Sequence, residues 1–524
     1  MTAHTQSAAR SPAPILVAGL GVVIFAICLT QTPETAAVGA LALAAAFLVA
    51  LAQTSRDILS WPNAIACLVL IIWLIPIKLY RLPVSLPFNL EVYRIAVLLL
   101  VVAFLIGIFL GLLPFSTAGH GWALLALAGV AITSQMINWA ELSPPGEPAA
   151  ALKAVSYFIS FVVIFLLITA AISKLDDARR LISVLVVGGT VVAAAALYES
   201  WTGTNVFDSL DTWVPGLVKQ VRELEDLRGG RLRVRSSAQH PIALGVALTM
   251  VVPLAVVLSQ YALTTARKVL WLVAAGICML GAFVTVSRTV IAMTIVMVIV
   301  GLMLRPERVR KFWPVLLVMP GFMQAIAPGT LGALYRSVFP DEGFGSDLEG
   351  REGLGGSGRL SDLGPGLDIW SDAPLVGHGL GYVATATEQI AGAAQGITGF
   401  QIIFDNQYMS TLISLGALGV VATIWVVWGA AYKLVSSGRE HRTGPEADLV
   451  SACAIACAGF ATAMLFFDAF AFVQATLVFF IIAAIGLRLR QLGLDPAPVI
   501  PLGERRQAFL RRKGLTIWDW TMRR

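Results

Sequence analysis

Residues 267–305 read RKVLWLVAAGICMLGAFVTVSRTVIAMTIVMVIVGLMLR. Arg267 and Lys268 open the stretch and Arg305 closes it. Between them lie two apolar runs, 267–286 and 288–304, which meet at Thr285-Val286-Ser287-Arg288-Thr289 with no ordinary loop. Each run approaches the ~20 apolar residues that cross a bilayer's hydrocarbon core. The stretch therefore predicts two membrane helices joined by a tight hairpin, with Arg288 at its tip.

The same pattern recurs outward in both directions. Candidate spans lie near 13–31, 36–52, 62–79, 92–113, 121–138, 153–173, 179–200, 240–259, 311–327, 407–434, 449–466 and 469–487. The chain of 524 residues is 57% hydrophobic and 13% charged, about half the ~25% charge of a soluble domain. No internal repeat, heptad register or strand alternation interrupts the pattern. The fold class expected is all-α: a polytopic transmembrane bundle of about fourteen spans. Ile15 to Leu29, after Arg10, has the outline of a signal peptide, but a second apolar run follows at once, so an uncleaved first span is expected. Cys28, Cys67, Cys278, Cys453 and Cys457 all lie inside apolar runs, and Cys453 and Cys457, on one helix face, have no His or acidic partner nearby, which favours lipid-facing or packing roles over metal or disulfide ones.

Lys and Arg set the orientation, because cytoplasmic loops retain them. With a cytoplasmic N-terminus, the inner loops hold Arg56, then Lys174, Arg179 and Arg180, then Arg267 and Lys268, then Arg305, Arg308, Arg310 and Lys311, then Arg439 and Arg442. The tail beyond Leu487 adds Arg488, Arg490, Arg505, Arg506, Arg511, Arg512, Lys513, Arg523 and Arg524, with Trp518 and Trp520, which suits an anionic inner leaflet. Both termini then lie in the cytoplasm. The net charge of +6 reports this orientation and calls for no nucleic acid. The chain divides into N-terminal helices (1–200), a basic outer loop (201–239), central helices (240–327), a large Gly-rich acidic outer loop (328–406), C-terminal helices (407–487) and a basic cytoplasmic tail (488–524).

The first long outer loop breaks the charge rule. It carries Lys219, Arg222, Arg228, Arg231, Arg233 and Arg235 against Glu223, Glu225 and Asp226. A solvated basic loop is the plain account. The functional one is a site for a phosphate or diphosphate, whose oxygens the planar guanidinium binds in pairs. Arg288, between two apolar runs, either snorkels to the interface or meets an anion that offsets its desolvation. Arg94, Glu199, His240, Asp405 and Asp468 fall near the same outer ends and outline a polar cavity opening outward.

Three segments resemble the O-antigen ligase and polymerase superfamily of bacterial envelope glycan enzymes. The first is Arg235-Ser-Ser-Ala-Gln-His240-Pro241, an arginine and small residues before a proline-bearing helix start. The second is the Ser287-Arg288 pair after an apolar helix. The third runs from Gly358-Arg359 through Ile369-Trp370 to Pro374-Leu-Val-Gly-His-Gly-Leu-Gly381, then Asp405-Asn406-Gln-Tyr408 and Leu415-Gly416-Ala-Leu-Gly419. The resemblance covers roughly 230–430. It implies transfer of a glycan from a polyprenyl diphosphate, at the outer face of the cytoplasmic membrane, to an acceptor glycan or lipid. It also implies no metal and no cofactor, and polysaccharide-assembly proteins as possible partners.

On this resemblance Arg235 and Arg288, with Arg233 and Arg359, hold the diphosphate and neutralise charge on the leaving group. The ligase branch has histidine where Asp405 stands, so polymerase and ligase both remain open. Asp405 is a candidate general base, weak at an ordinary pKa near ~3.9. His240 and His378 are the substitutes, and for each a structural hydrogen-bonding role stands beside the catalytic one. Asn406 has the character of a helix N-cap.

The other function class considered is a transporter, notably a lipid-linked oligosaccharide flippase. Such proteins keep outer loops short and bury charge in central helices, whereas here the unusual charges sit at outer ends and in long outer loops. A non-enzymatic assembly partner is a third reading. A metal-dependent membrane glycosyltransferase would carry an acidic pair in its first outer loop, which here holds only Glu34. The charge pattern predicts that tags placed after residue 487 and within 328–406 are reached from opposite sides of the membrane. Labelling of both from one side overturns this topology.

Overall fold

The computed structural model describes residues 60–83, 90–142, 149–214, 217–220, 227–228, 231–312, 321, 324, 331–332, 335, 363–382, 406–440 and 444–494. The first two expected spans, most of the 311–327 span, most of the large loop with Arg359 and Asp405, and the basic tail beyond 494 lie outside the described residues.

The described architecture is helical: α1 (Trp61–Leu74), α2 (Val92–Phe109), α3 (Gly121–Ile137), α4 (Ala149–Ala171), α5 (Leu175–Thr202), α6 (Pro241–Gln260), α7 (Thr265–Phe283), α8 (Arg288–Leu304), α9 (Leu363–Asp372), α10 (Gln407–Glu440), α11 (Pro445–Ala463) and α12 (Val473–Leu494). Eight helices, α2, α4–α7 and α10–α12, are long and apolar enough to cross a membrane, and α1, α3 and α8 are shorter apolar helices. Among the described residues two small antiparallel ribbons accompany them, β1 (Tyr80–Arg81) with β2 (Val218–Lys219) and β3 (Leu227–Arg228) with β4 (Arg231–Leu232).

Helix ends follow local chemistry. Pro76 disfavours helical backbone at Ile75, so α1 stops at Leu74, short of the expected residue 79. Gly111, at φ +67°, closes α2 while Leu112 N donates to Gly107 O at 2.8 Å. The start of α5 precedes its apolar run: Asp177 accepts from Lys174 N at 3.1 Å and from the Ser173 hydroxyl at 2.8 Å, satisfying first-turn groups.

The central helices α6, α11 and α12 are enclosed on nearly all sides. Small residues permit this, because membrane helices pack by close approach rather than by water exclusion. Cys453 and Cys457 are buried in α11 among alanines, as their packing reading expects.

The helices alternate in direction, and contacts at their ends sort into two groups. At one end Arg305 Nε lies 3.0 Å and Arg308 2.5 Å from the buried Asp448 carboxylate, and the Tyr261 hydroxyl donates to the same group. This joins the ends of α6 and α8 to the start of α11. Arg488 Nε donates to Ile172 O at 3.0 Å and Lys433 Nζ to Gly119 O at 2.7 Å at that end too. The opposite end collects the described parts of the links 75–91 and 203–240, the α7–α8 turn, segment 363–382 and the link 464–472. That end carries every described residue proposed for the site.

Candidate functional site

The loop after α5 is held by a buried carboxylate. Glu199, 5% exposed in the last turn of α5, accepts from Ser236 N at 2.7 Å and Arg235 N at 3.3 Å. Ser236 adopts φ +48°, a conformation a non-glycine residue holds only when its surroundings enforce it. Its hydroxyl donates to Val192 O at 2.9 Å, and its carbonyl accepts from Asn205 Nδ2 at 2.9 Å. Arg235, thus fixed at its backbone, reaches Asp208 at 2.8 Å. Tyr80 pins the loop to the α1–α2 link: its hydroxyl donates to Phe207 O at 2.8 Å and accepts from Leu210 N at 3.1 Å. Burial, with help from the nearby Asp211 and Asp208 carboxylates, raises the Tyr80 pKa and keeps the phenol neutral.

Arg233 connects this loop to the α7–α8 turn. It is 5% exposed, and its Nε donates to Thr285 O at 3.3 Å. The turn occupies Val284–Ser287, so the expected tight hairpin is present, with Arg288 half-buried at the first position of α8. Val286 holds φ +50°, an outlier for a β-branched side chain. The hydroxyls of Ser287 and Thr289 are buried without hydrogen-bond partners among the described residues. The first backbone N–H groups of α8 emerge beside them, and a helix start of this kind favours an anion. Beneath the turn, a β-carbon at Gly245 of α6 would lie 2.5 Å from Val290 and 2.8 Å from the Thr285 hydroxyl. Only glycine lets α6 approach so closely.

His240 caps α6, its Nδ1 accepting from Ile242 N at 3.1 Å while the ring packs on Phe472 at 5.1 Å between centroids. Next to it, Gln239 Nε2 donates to Ala471 O at 2.9 Å, an oxygen that also accepts from Lys78 Nζ at 2.8 Å. Lys78 N in turn donates to Glu91 at 3.0 Å, and Glu91 pairs with Arg94 at 3.1 Å and accepts from the Tyr157 hydroxyl at 3.0 Å. Arg94, Glu199 and His240 therefore share one end of the bundle, as expected. The sequence reading missed Lys78, Glu91, Tyr157 and Gln239. A lysine and a glutamate flanking a proline-rich link were the available signal.

His378 belongs to a second cluster. Helix α10 is broken at Gly416 (φ +66°, ψ −169°), and the segment Pro374–Gly379 lies in the break. His378 N donates to Ile413 O at 2.9 Å and Gly379 N to Ser414 O at 2.8 Å, while Ala417 N donates to Pro374 O at 2.9 Å and Leu418 N to Leu375 O at 3.2 Å. From α3, Asn138 Nδ2 reaches Gly377 O at 2.9 Å and the Ser134 hydroxyl reaches Ser414 O at 3.0 Å. The His378 ring stacks on Tyr382 at 4.4 Å, and its Nε2 meets Ile369 O at 2.9 Å. Asn406 accepts from Tyr408 N at 2.9 Å, the N-cap role its sequence suggests. The α10 start rests on the 464–472 link: the Ser410 hydroxyl donates to Asp468 at 3.0 Å and Phe470 N to Gln407 Oε1 at 2.5 Å.

Residues 271–424 match the family described as O-antigen ligase. That segment belongs to the O-antigen ligase superfamily. It takes in most of α7, the Arg288 turn, α8, the large loop and α10 past the Gly416 break. Arg233, Arg235 and His240 precede it. A comparison with curated proteins finds no match. The apolar helices suit a multi-pass membrane protein, and the matched segment is of O-antigen ligase type.

The interlock at Gly416 yields a test. A β-carbon at Gly416 would strike the Leu375 carbonyl, and one at Gly377 would lie 2.5 Å from Gly416 N. Gly416→Ala is expected to cost at least about 2 kcal/mol through backbone strain and clash and to expose 363–382 to limited proteolysis. Gly429→Ala, in the same helix against side chains only, serves as the control. Equal proteolysis of both variants overturns the interlock.

Proposed function

We propose that the chain is a membrane glycosyltransferase of the O-antigen ligase or polymerase type. It works in the inner membrane with about fourteen spans, both termini in the cytoplasm and the site facing outward. The donor is a glycan on polyprenyl diphosphate; the acceptor is a hydroxyl of another glycan or a lipid. The observation that carries the reading is the Arg233–Thr285 hydrogen bond, which brings the basic loop onto the turn that presents Arg288.

In the reaction the acceptor hydroxyl oxygen attacks the anomeric carbon and the bond from that carbon to the diphosphate oxygen breaks. The bonding pair leaves with polyprenyl diphosphate, and a base takes the hydroxyl proton. Arg233, Arg235, Arg288 and Arg359 stabilise the charge developing on the leaving group, the largest contribution such fixed cations make. No metal is required. Asp405 is the first candidate base. The two histidines divide by tautomer. His240 accepts at Nδ1, so its neutral ring carries the proton on Nε2 and suits donation to a phosphate oxygen. His378 donates from Nε2 to a carbonyl, which leaves the lone pair on Nδ1 and suits proton acceptance.

Arg235→Ala and Arg288→Ala should each abolish glycan transfer while the protein remains in the membrane. Wild-type transfer by both variants overturns the diphosphate site. Asp405→Asn should lower transfer by about 10²- to 10⁴-fold, the usual span for a lost general base, with donor binding little changed. Unchanged turnover assigns the base to His378 or His240.

A further inference from the structure

Between α3 and α4, at the end of the bundle that carries the site, lies a cavity of about 520 Å³ that opens sideways. Its walls are Ala128, Ile132 and Met136 on α3, with Phe158, Ile159 and Val162 among the α4 residues facing them. Leu380, from the segment locked into α10, closes it toward that end, and Trp139 stands at the rim. The volume falls within the range of small-ligand sites.

Three observations identify the occupant class. The mouth continues the exposed surface of the apolar helices α3 and α4: Ile132, Met136 and Ile159 are all more than half exposed. In a bilayer, hydrocarbon reaches such an opening. Gln135 lines the cavity and is 6% exposed; its Oε1 accepts from Leu380 N at 3.0 Å, while its Nε2 is buried without a partner among the described residues. A buried amide that lacks an acceptor is costly, and an oxygen carried at the head of a hydrocarbon chain would satisfy it. Finally, the lining includes no charged side chain, so the site selects a chain and not a head group. A site of that kind fills with the most abundant chain in its leaflet by mass action.

Arg233, Arg235 and Arg288 stand on other elements, the loop after α5 and the α7–α8 turn, and the cavity lining offers no cation to a diphosphate. We infer that the α3–α4 cavity binds one acyl chain of a bilayer phospholipid, and that the bound chain braces Leu380 and the segment locked into α10. This inference stands apart from the glycosyltransferase reading except for the site's location, since chain binding requires no turnover.

The test uses the full-length protein in phosphatidylethanolamine and phosphatidylglycerol vesicles. One set carries a phosphatidylethanolamine with a diazirine in its acyl chain, the other a diazirine-bearing polyprenyl phosphate. The acyl probe should label α3 and α4 at Ile132, Met136 or Ile159. Labelling should fall at least tenfold in Ala128→Phe, which fills the cavity, and in Ile159→Trp, which blocks its mouth from an exposed position and so spares the packing. In both variants segment 363–382 should become more open to proteolysis. Stronger labelling by the polyprenyl probe, undiminished acyl labelling in the blocked variants, or unchanged proteolysis in variants that have lost labelling each overturn the inference. Failure of the glycan-transfer assays alone leaves these outcomes intact, so the two readings fail separately.

Discussion

The break in α10 at Gly416 governs the architecture of the site end. A helix interrupted there loses partners for the carbonyls of Ile413 and Ser414 and for the N–H groups of Ala417 and Leu418. In a hydrocarbon environment each unsatisfied backbone group costs several kcal/mol. Segment Pro374–Gly379 satisfies all four through its own backbone. Gly416 lies nine residues into α10, so the inserted segment descends about 14 Å along the helix axis. Irregular backbone at such depth is tolerated only when enclosed by protein, and α3 supplies the enclosure through Ser134, Gln135 and Asn138. The helix cannot break without the loop, nor the loop insert without the break.

The basic loop after α5 solves a related problem with charge. Glu199 takes the place of a missing helix partner for two consecutive N–H groups, at Arg235 and Ser236. That contact holds Ser236 in the left-handed region and sets the direction in which Arg235 departs. Val286 also holds a positive φ in the α7–α8 turn, where Arg233 binds the preceding carbonyl. Two non-glycine residues in disfavoured conformations flank one contact between loop and turn. Strain of this kind, of order 1–3 kcal/mol per residue, persists where the surroundings over-determine it.

Hydropathy made most of the bundle legible, because each apolar run reports the length of chain immersed in hydrocarbon. The 288–304 run and α8 coincide, and the hairpin at Ser287-Arg288 is where the two adjoining runs require it. The departures arise where helix and hydrocarbon part company. Helix α12 starts at Val473 instead of 469 and continues through Arg488 and Arg490 to Leu494, since a helix does not end where the membrane does. Helix α10 likewise runs on to Glu440. The Gly416 break was invisible as geometry: both halves are apolar and helical, and the break exists only through a partner more than thirty residues earlier in the chain (Pro374–Gly379). Its two halves were nonetheless visible as motifs, Pro374–Gly381 and Leu415–Gly419, whose glycines fit each other. Lys78, Glu91 and Gln239 escaped notice because single polar residues in links carry no period.

The arginines at the site end differ in how firmly they are held, and under the proposed chemistry that difference matters. Arg233 is buried and tied to the backbone of the turn, so its charge is a fixed feature of the site. Arg235 pairs with Asp208, and both side chains remain about a quarter exposed. A pair that open to solvent contributes little to stability, so a phosphate dianion competes with Asp208 for the guanidinium at small cost. The backbone of Arg235 stays anchored on Glu199 throughout, and the side chain alone exchanges partners. Under the proposed chemistry such a site keeps Arg235 paired while empty, would bind a diphosphate without rebuilding the fold, and would restore the Arg235–Asp208 pair when polyprenyl diphosphate departs.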